Sequence, residues 1–361
     1  MAINADVLQS ALQELMPSYS ELFVKWHPVL ERVLLKGNIE KNVLTGPYRE
    51  FAVVTDGPGD VTQIVTGSEI VNGGRNQNAA RGNTYAPRMI YAFDVPGKDL
   101  AEANGEMDLA RIIQHYPELA LSDFHERIAK QIIQGNGSNV GGFMTMNGDL
   151  TYNPQGTARQ GVFEFAAPAA QSDVVFGITK NSGDGWYNQY EDITSFATNG
   201  RSQMRKCYYA CSRQQKTLGP VDLILGDEGS YLNYLDDLDS QVRIVTDKTS
   251  AGDRAPNNIR QGVKFLDADF YLEDSIDALT DSAVWTTAAA RDGVMFFLNT
   301  STWHAYTLGS DANKETKGDF SVRGPFRIPE QDLFRYEIVL NMGMHTNQLR
   351  ANGVVTGGGT A

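Results

Sequence analysis

Residues 48–98 read YREFAVVTDGPGDVTQIVTGSEIVNGGRNQNAARGNTYAPRMIYAFDVPGK, and the organisation of the whole chain turns on this stretch. Its ends, Tyr48–Thr55 and Met89–Val95, have the alternating or β-branched character of strands. Between them Gly, Asn, Thr and Gln dominate, with Asp56-Gly57-Pro58-Gly59 and Gly73-Gly74 as breakers. So few large apolar side chains cannot form a core, and a span of this length without one is a functional excursion or disordered. Paired as a β-hairpin, it would project about 3.3 Å per residue of strand. An isolated two-stranded ribbon is marginal in water, so a neighbouring molecule must support it. Assembly is the first expectation.

On the N-terminal side, Val7, Leu8, Ala11, Leu12 and Leu15 recur at helical spacing over residues 5–16. Pro17 ends that helix, and Ser18 or Ser20 can cap a second one running to about Leu35. Such an amphipathic arm needs something to lie against. Residues 37–47 read as a linker. On the C-terminal side, helices are predicted over residues 106–115 and 117–134, the second with Pro117 in its first turn and Gly135 at its end. A short strand is expected near Val174–Ile178, then a long helix over residues 189–215. Its inner face would hold Ile193, Phe196, Met204, Cys207, Tyr208 and Cys211. Residues 221–308 alternate strand and helix signals: Val221–Leu225, helix 229–238, Val242–Val245, Val263–Leu272, Val294–Asn299 and Trp303–Leu308. Leu333–Met344 alternates strictly and reads as one strand, and Gly353–Ala361 reads as a flexible tail.

The 361 residues carry 31 Lys and Arg against 44 Asp and Glu, a net charge of −13. The length fits two domains, or one with an excursion. With 41% apolar residues and 21% charged, a packed core is available and global disorder is excluded. The acidity disfavours a general nucleic-acid binder, whose footprint is basic. Two Cys cannot make a disulfide scaffold, no apolar run is long enough to span a membrane, and Met1–Asp6 has no secretion signal. The expectation is a soluble protein of a reducing compartment.

The charge is segregated. Residues 221–281 hold fourteen acids against five bases, whereas residues 193–216 carry Arg201, Arg205, Lys206, Arg213 and Lys216 with no acid. Arg75, Arg81 and Arg88 likewise stand in an acid-free run. Two readings stay open: surfaces built to meet complementary surfaces, or solvated faces on which charge happens to cluster.

Chemistry tested motif by motif yields no active site. Gly135–Gly141 follows a helix rather than a strand and is spaced one residue long for a dinucleotide loop. Gly97-Lys98 is followed by Asp99, not by the Ser or Thr of a phosphate loop. His27, His115, His125, His304 and His345 form no zinc-binding spacing, with His304 and His345 in predicted strands. Cys207 and Cys211, four apart on one helix face, read as small packed hydrophobes rather than reactive thiols. Asp267, Asp269, Glu273, Asp274 and Asp277 could supply paired carboxylates or cation ligands, but Asp267 and Asp269 alternate with Leu266, Ala268 and Phe270 as on a half-solvated strand. No cofactor, metal or catalytic residue is assigned.

Longer runs carry a resemblance. Tyr48-Arg-Glu-Phe, Thr66-Gly-Ser-Glu-Ile, Tyr85-Ala-Pro-Arg, Asp94-Val-Pro-Gly-Lys-Asp-Leu and Tyr116-Pro-Glu-Leu-Ala-Leu-Ser-Asp-Phe-His-Glu-Arg are similar to runs in one family. So are Gly262-Val-Lys-Phe-Leu-Asp-Ala-Asp-Phe-Tyr-Leu, Ser301-Thr-Trp-His-Ala-Tyr-Thr-Leu-Gly and Arg323-Gly-Pro-Phe-Arg-Ile-Pro. Nearly the whole chain resembles the major capsid proteins of tailed bacteriophages, with the Hong Kong 97 shell fold. The resemblance implies an α+β fold: an N-terminal arm (1–47), an extended β-hairpin loop (48–98), a peripheral domain with spine helix and connecting helix (99–216 and 321–361) and an axial domain (217–320). It implies hexamers and pentamers of an icosahedral shell around double-stranded DNA, a place in the virion after assembly in the host cytoplasm, and portal, scaffolding and decoration proteins as possible partners. It implies no enzyme, cofactor or membrane.

Some members of that family join a loop Lys covalently to a neighbour's Asn. No Lys lies between Lys41 and Lys98 here, which implies a shell held without covalent links from the loop. Two sets of contact residues follow as hypotheses. Arg75, Arg81 and Arg88 would dock on an adjacent subunit's Glu118, Asp123 or Glu126. Asp227, Glu228, Asp236, Asp237 and Asp239, with no base among them, would converge near a symmetry axis and need divalent cations or a basic partner. Competing readings are an encapsulin-type compartment on the same fold and an acidic soluble hydrolase using Asp267 and Asp269.

Overall fold

The computed structural model describes residues 27–40, 48–55, 79–85, 89–98, 106–133, 161–213, 219–239, 263–277, 292–307, 320–328, 331–340 and 342–359. In chain order the elements are α1 (Pro28–Leu35), β1 (Ile39–Glu40), β2 (Tyr48–Val54), β3 (Ala79–Tyr85), β4 (Met89–Pro96) and α2 (Glu106–Ile133). Then come β5 (Val174–Val175), β6 (Ile178–Thr179), β7 (Gln189–Asp192), α3 (Arg201–Arg213), β8 (Leu223–Gly226) and α4 (Glu228–Asp239). The last are β9 (Val263–Phe265), β10 (Ala268–Leu272), β11 (Val294–Leu298), β12 (Trp303–Thr307), β13 (Phe320–Arg327), β14 (Leu333–Leu340), β15 (Met342–Thr346) and β16 (Gly353–Thr356). The predicted helix over 5–16, the strand Val242–Val245 and the ribbon tip between β2 and β3 lie outside the described residues.

The chain divides into two compact units. One comprises Met1–Arg49, Thr84–Met144 and His304–His345, the other Glu50–Asn83, Thr145–Trp303 and Thr346–Ala361.

In the first unit β14 is the centre of a three-stranded antiparallel sheet ordered β13-β14-β4. Met89–Val95, expected to close the ribbon, instead pairs along its length with β14, from Leu340↔Met89 to Leu333↔Pro96. The ring of Phe93 stacks on Tyr336 at 5.5 Å. Arg335 forks onto Asp94 at 2.8 and 3.1 Å. On its other side β14 meets β13, whose register slips between Arg323 and Phe326. Gly324 sits in that slip at φ +119, where a Cβ would stand 2.7 Å from the Arg335 carbonyl oxygen, so no other residue fits without strain.

Helix α2 is continuous from Glu106 to Ile133, where two helices separated at Pro117 were predicted. A proline inside a helix costs about 3 kcal/mol. Leu121, Phe124, Ile128, Ile132 and Ile133 are each at most 3% exposed, and burial of such side chains contributes about 1.5–3 kcal/mol apiece, which outweighs it. Phe124 lies 5.9 Å from the Tyr91 ring of β4. The single strand predicted over Leu333–Met344 is two strands: β15 belongs to a separate small sheet ordered β1-β12-β15, in which β1 runs parallel to β12.

In the second unit a six-stranded mixed sheet runs β7-β16-β11-β8-β10-β9. β8, β11 and β16 are buried on both faces, which is why Leu223–Gly226 and Val294–Leu298 read as unbroken apolar runs rather than alternating ones. One face holds Ile224, Phe270, Met295, Phe297 and Val355 against Met204, Cys207, Tyr208 and Cys211 of α3 and Tyr234 of α4. Phe296 points away from that layer, 5.3 Å from the Phe163 ring. β2 and β3 form a two-stranded sheet of their own.

Three local expectations change here. Residues 189–192, predicted helical, form β7, because Gln189–Asp192 pair in parallel with β16; a π-helical turn over Phe196–Gly200 then leads into α3. The supposed flexible tail contains β16, with Val354 and Val355 fully buried between β7 and β11. Beyond it, Gly357 N–H donates to Gly293 O at 2.8 Å and Asn233 donates to Gly358 O at 2.9 Å. Val263–Leu272 is a hairpin of β9 and β10, turning at Leu266, whose φ is +55.

Candidate functional site

Helix α2 carries the carboxylates proposed to receive a neighbour's arginines. Asp123 accepts from the Tyr91 hydroxyl and, at 3.1 Å, from Arg127 Nε. The Tyr91 hydrogen bond, followed by Arg127, holds the Asp123 carboxyl below its usual range. Arg127 also lies over the Tyr91 ring, 5.6 Å from its centroid. Glu126 pairs with Lys130 one turn along the helix. Both pairs are exposed and join residues four apart, a geometry worth about 0.3–0.5 kcal/mol, so each can exchange partners at little cost. Glu118 lies on the same helix, its side chain outside the described set. Of the ribbon cations, Arg81 on β3 is exposed, with Nη1 3.4 Å from Glu50 of β2. Arg75 and Arg88 lie outside the described residues.

The second acidic set separates by environment. Asp227 is buried and caps α4: its Oδ1 accepts from the Ser230 hydroxyl and, at 3.1 Å, from Val294 N–H. Burial raises its pKa, against the lowering effect of those hydrogen bonds. Glu228 and Asp236 are exposed. Asp237 pairs with Arg201 of α3 at 2.5 Å. The side chain of Asp239 is outside the described set. Asp227 therefore helps hold the domain together, while Glu228 and Asp236 face outward. Among the described residues no group of three or more His, Cys, Asp or Glu is placed to hold a metal.

The remaining sequence candidates are structural. Cys207 and Cys211 are buried free thiols, and burial pushes the Cys207 thiol well above its usual pKa. They pack on the backbone of β16, where a Cβ on Gly353 would stand 2.6 Å from Cys207 Sγ and 2.9 Å from Cys211 Sγ. His304 and His345 stack at 5.4 Å on β12 and β15. Asp267 is exposed in the β9–β10 turn, and Asp269 lies on β10 in register with Leu223.

Two polar networks went unnoticed in the sequence. Lys180, with no side-chain exposure, donates to Asn188 Oδ1 at 3.1 Å and lies 3.7 Å from Glu164, whose carboxylate accepts from the backbone of Ser172 and Asp173. Burial, opposed by Glu164, lowers the Lys180 pKa to about 8. The carboxamide of Asn352 is fully buried and satisfied: it accepts from Asn299 N–H and Trp303 Nε1, and donates to Thr302 and to Gln348 O. Both tie loops to the six-stranded sheet. Isolated Asn and Lys residues in loops carry no periodic signal by which a sequence could announce this.

Solved structures share this architecture. The capsid protein of a native GTA particle aligns over 90% of this chain and 90% of its own, with TM-score 0.50 and 10% identity. The capsid protein of cyanophage A-1(L) aligns over 90% of this chain and 92% of its own, with TM-score 0.51 and 12% identity. The fold is that of a Hong Kong 97-type capsid subunit. At these identities the likeness is one of fold. No family model and no curated protein matches the chain. Among the described residues no helix of this capsid-type fold is long and apolar enough to cross a membrane.

Proposed function

We propose that this chain is the major capsid protein of a tailed bacteriophage, assembling into hexamers and pentamers of an icosahedral shell that encloses double-stranded DNA. The observation that carries the proposal is the shared fold along nine-tenths of both this chain and the two capsid subunits. The buried thiols and Asp227 serve packing and capping, and on this reading the protein acts by presenting surfaces to other copies. The six-stranded unit would be the axial domain and the unit carrying α2 the peripheral domain, with α2 as spine helix. The subunits would reside in the virion after assembly in the host cytoplasm, alongside portal, scaffolding and decoration proteins.

In such a shell each weak contact recurs at every symmetry-related position, so contacts of about 0–1 kcal/mol become decisive together. Arg75, Arg81 and Arg88 would exchange onto an adjacent subunit's Glu118, Asp123 and Glu126. Negative-stain microscopy and sedimentation of the purified chain test the main reading. Rings or closed shells are expected; a monodisperse monomer under all assembly conditions would overturn it. Particles made in cells should retain DNA, whereas particles loaded with a protein cargo and free of DNA would mark an encapsulin-type compartment.

A further inference from the structure

Helices α3 and α4 carry outer stripes that match each other. On α3, Arg205, Tyr209 and Arg213 recur every four residues and are all exposed, Tyr209 at 49%, while Met204, Cys207, Tyr208 and Cys211 are buried beneath. Neither arginine has an ion-pair partner among the described residues. On α4, Glu228, Leu232 and Asp236 recur at the same spacing and are also exposed, Leu232 at 49%. Four residues advance about 6 Å along a helix axis. Each stripe is thus two like charges flanking one large apolar side chain, with equal intervals and opposite sign.

Within one chain the two helices are joined by the Arg201–Asp237 pair, at the start of α3 and the end of α4, and neither residue of that pair belongs to a stripe. We propose that α3 of one copy packs on α4 of a second copy, with Tyr209 against Leu232 and Arg205 and Arg213 against Glu228 and Asp236. The inference rests on the shell reading above and names one contact within it. A nucleic-acid backbone would satisfy the arginines but leave the acidic stripe and its central leucine unexplained; a second copy accounts for both. Because two different surfaces of one chain meet, the contact is head-to-tail and propagates into a ring when the rotation closes. Two such helix faces bury less than the roughly 1,200 Å² of a self-sufficient interface, so the contact acts together with others in the assembly.

The test uses the full chain. Arg205→Glu with Arg213→Glu, and separately Glu228→Lys with Asp236→Lys, should each reduce the assembled fraction in sedimentation at least tenfold. The fourfold variant, with the charges swapped, should return to within about threefold of wild type. Circular dichroism and melting of the unassembled fraction check that each variant is folded. A second measurement does not depend on charge reversal: chains carrying Tyr209→Cys are mixed with chains carrying Leu232→Cys, co-assembled and mildly oxidised. A disulfide-linked dimer between the two is expected. If wild type makes no rings or shells, the capsid reading itself fails. If wild type assembles but the mixed cysteines do not link and the double reversals assemble normally, this contact is overturned while the capsid reading stands. Arginine reversals that assemble normally yet shed nucleic acid would assign the α3 stripe to nucleic acid and overturn it too.

Discussion

Lys180 has no exposed side-chain surface, and its ammonium group lies against the Asn188 carboxamide and the Glu164 carboxylate, with Asp173 also near enough to act on it. Its pKa falls from 10.5 in the unfolded chain to about 8 in the folded one. Below about pH 8 both states hold the proton and the burial penalty is fully felt. Between about pH 8 and 10.5 the folded state releases the proton while the unfolded state keeps it, so this group makes stability rise with pH. The full span corresponds to on the order of 3 kcal/mol. Urea midpoints of wild type and Lys180→Met should therefore diverge in slope across that window, wild type gaining relative to the variant. Parallel profiles would rule out the depressed pKa. Asn352 gives a simpler case. Asn352→Leu leaves Asn299 N–H and Trp303 Nε1 buried without their acceptor, at about 1–3 kcal/mol for each unsatisfied group. A fall in unfolding free energy of about 2–5 kcal/mol is expected in denaturant titration.

At the scale of elements, the contact between α3 and β16 is a close one that can be tested. Adding one methyl at Gly353 places it against both thiols, so Gly353→Ala should destabilise by about 1–3 kcal/mol. Cys207→Ala in the same chain should recover part of that loss, a coupling that independent sites would not show. What the sequence disclosed of these elements follows physical rules. α3 was legible because Met204, Cys207, Tyr208 and Cys211 repeat at helical spacing, and β14 because it is half-buried and alternates. β16 was not: GVVT has three residues between Gly353 and Gly357, too few for periodicity, and its neighbour β7 reads QYED, which looks like the start of a helix. Pairing between distant segments made both into strands. Pro117 misled in the opposite direction, because a local signal was overridden by the buried face of α2. The site was legible as charge and illegible as exposure: Asp227 and Asp236 look alike in the sequence, yet one is a buried cap and the other faces solvent.

At the scale of the whole molecule, the proposed shell reads the segregated charge behind the net −13 as surface complementarity, which charge reversal tests. Reversing Arg75, Arg81 and Arg88 together should stop shell closure while leaving the monomer's melting temperature unchanged, as read by electron microscopy and calorimetry. Normal particles would refute the docking of those arginines. Since no lysine lies between Lys41 and Lys98, assembled particles boiled in detergent should run as a single monomer band; a ladder would contradict a shell held without covalent links.

β16 lies between β7 and β11, so the six-stranded sheet has a gap at its interior until residues 353–356 arrive. During translation, β7, β8, β10 and β11 have all emerged before the strand that joins them. A chain ended between β11 and β16 therefore keeps two unsatisfied inner strand edges, on β7 and on β11. On the proposed shell reading, a fragment with those open edges would lack the sheet that a subunit needs before it can join a lattice. The strand made last among these is thus the one on which the continuity of the sheet depends.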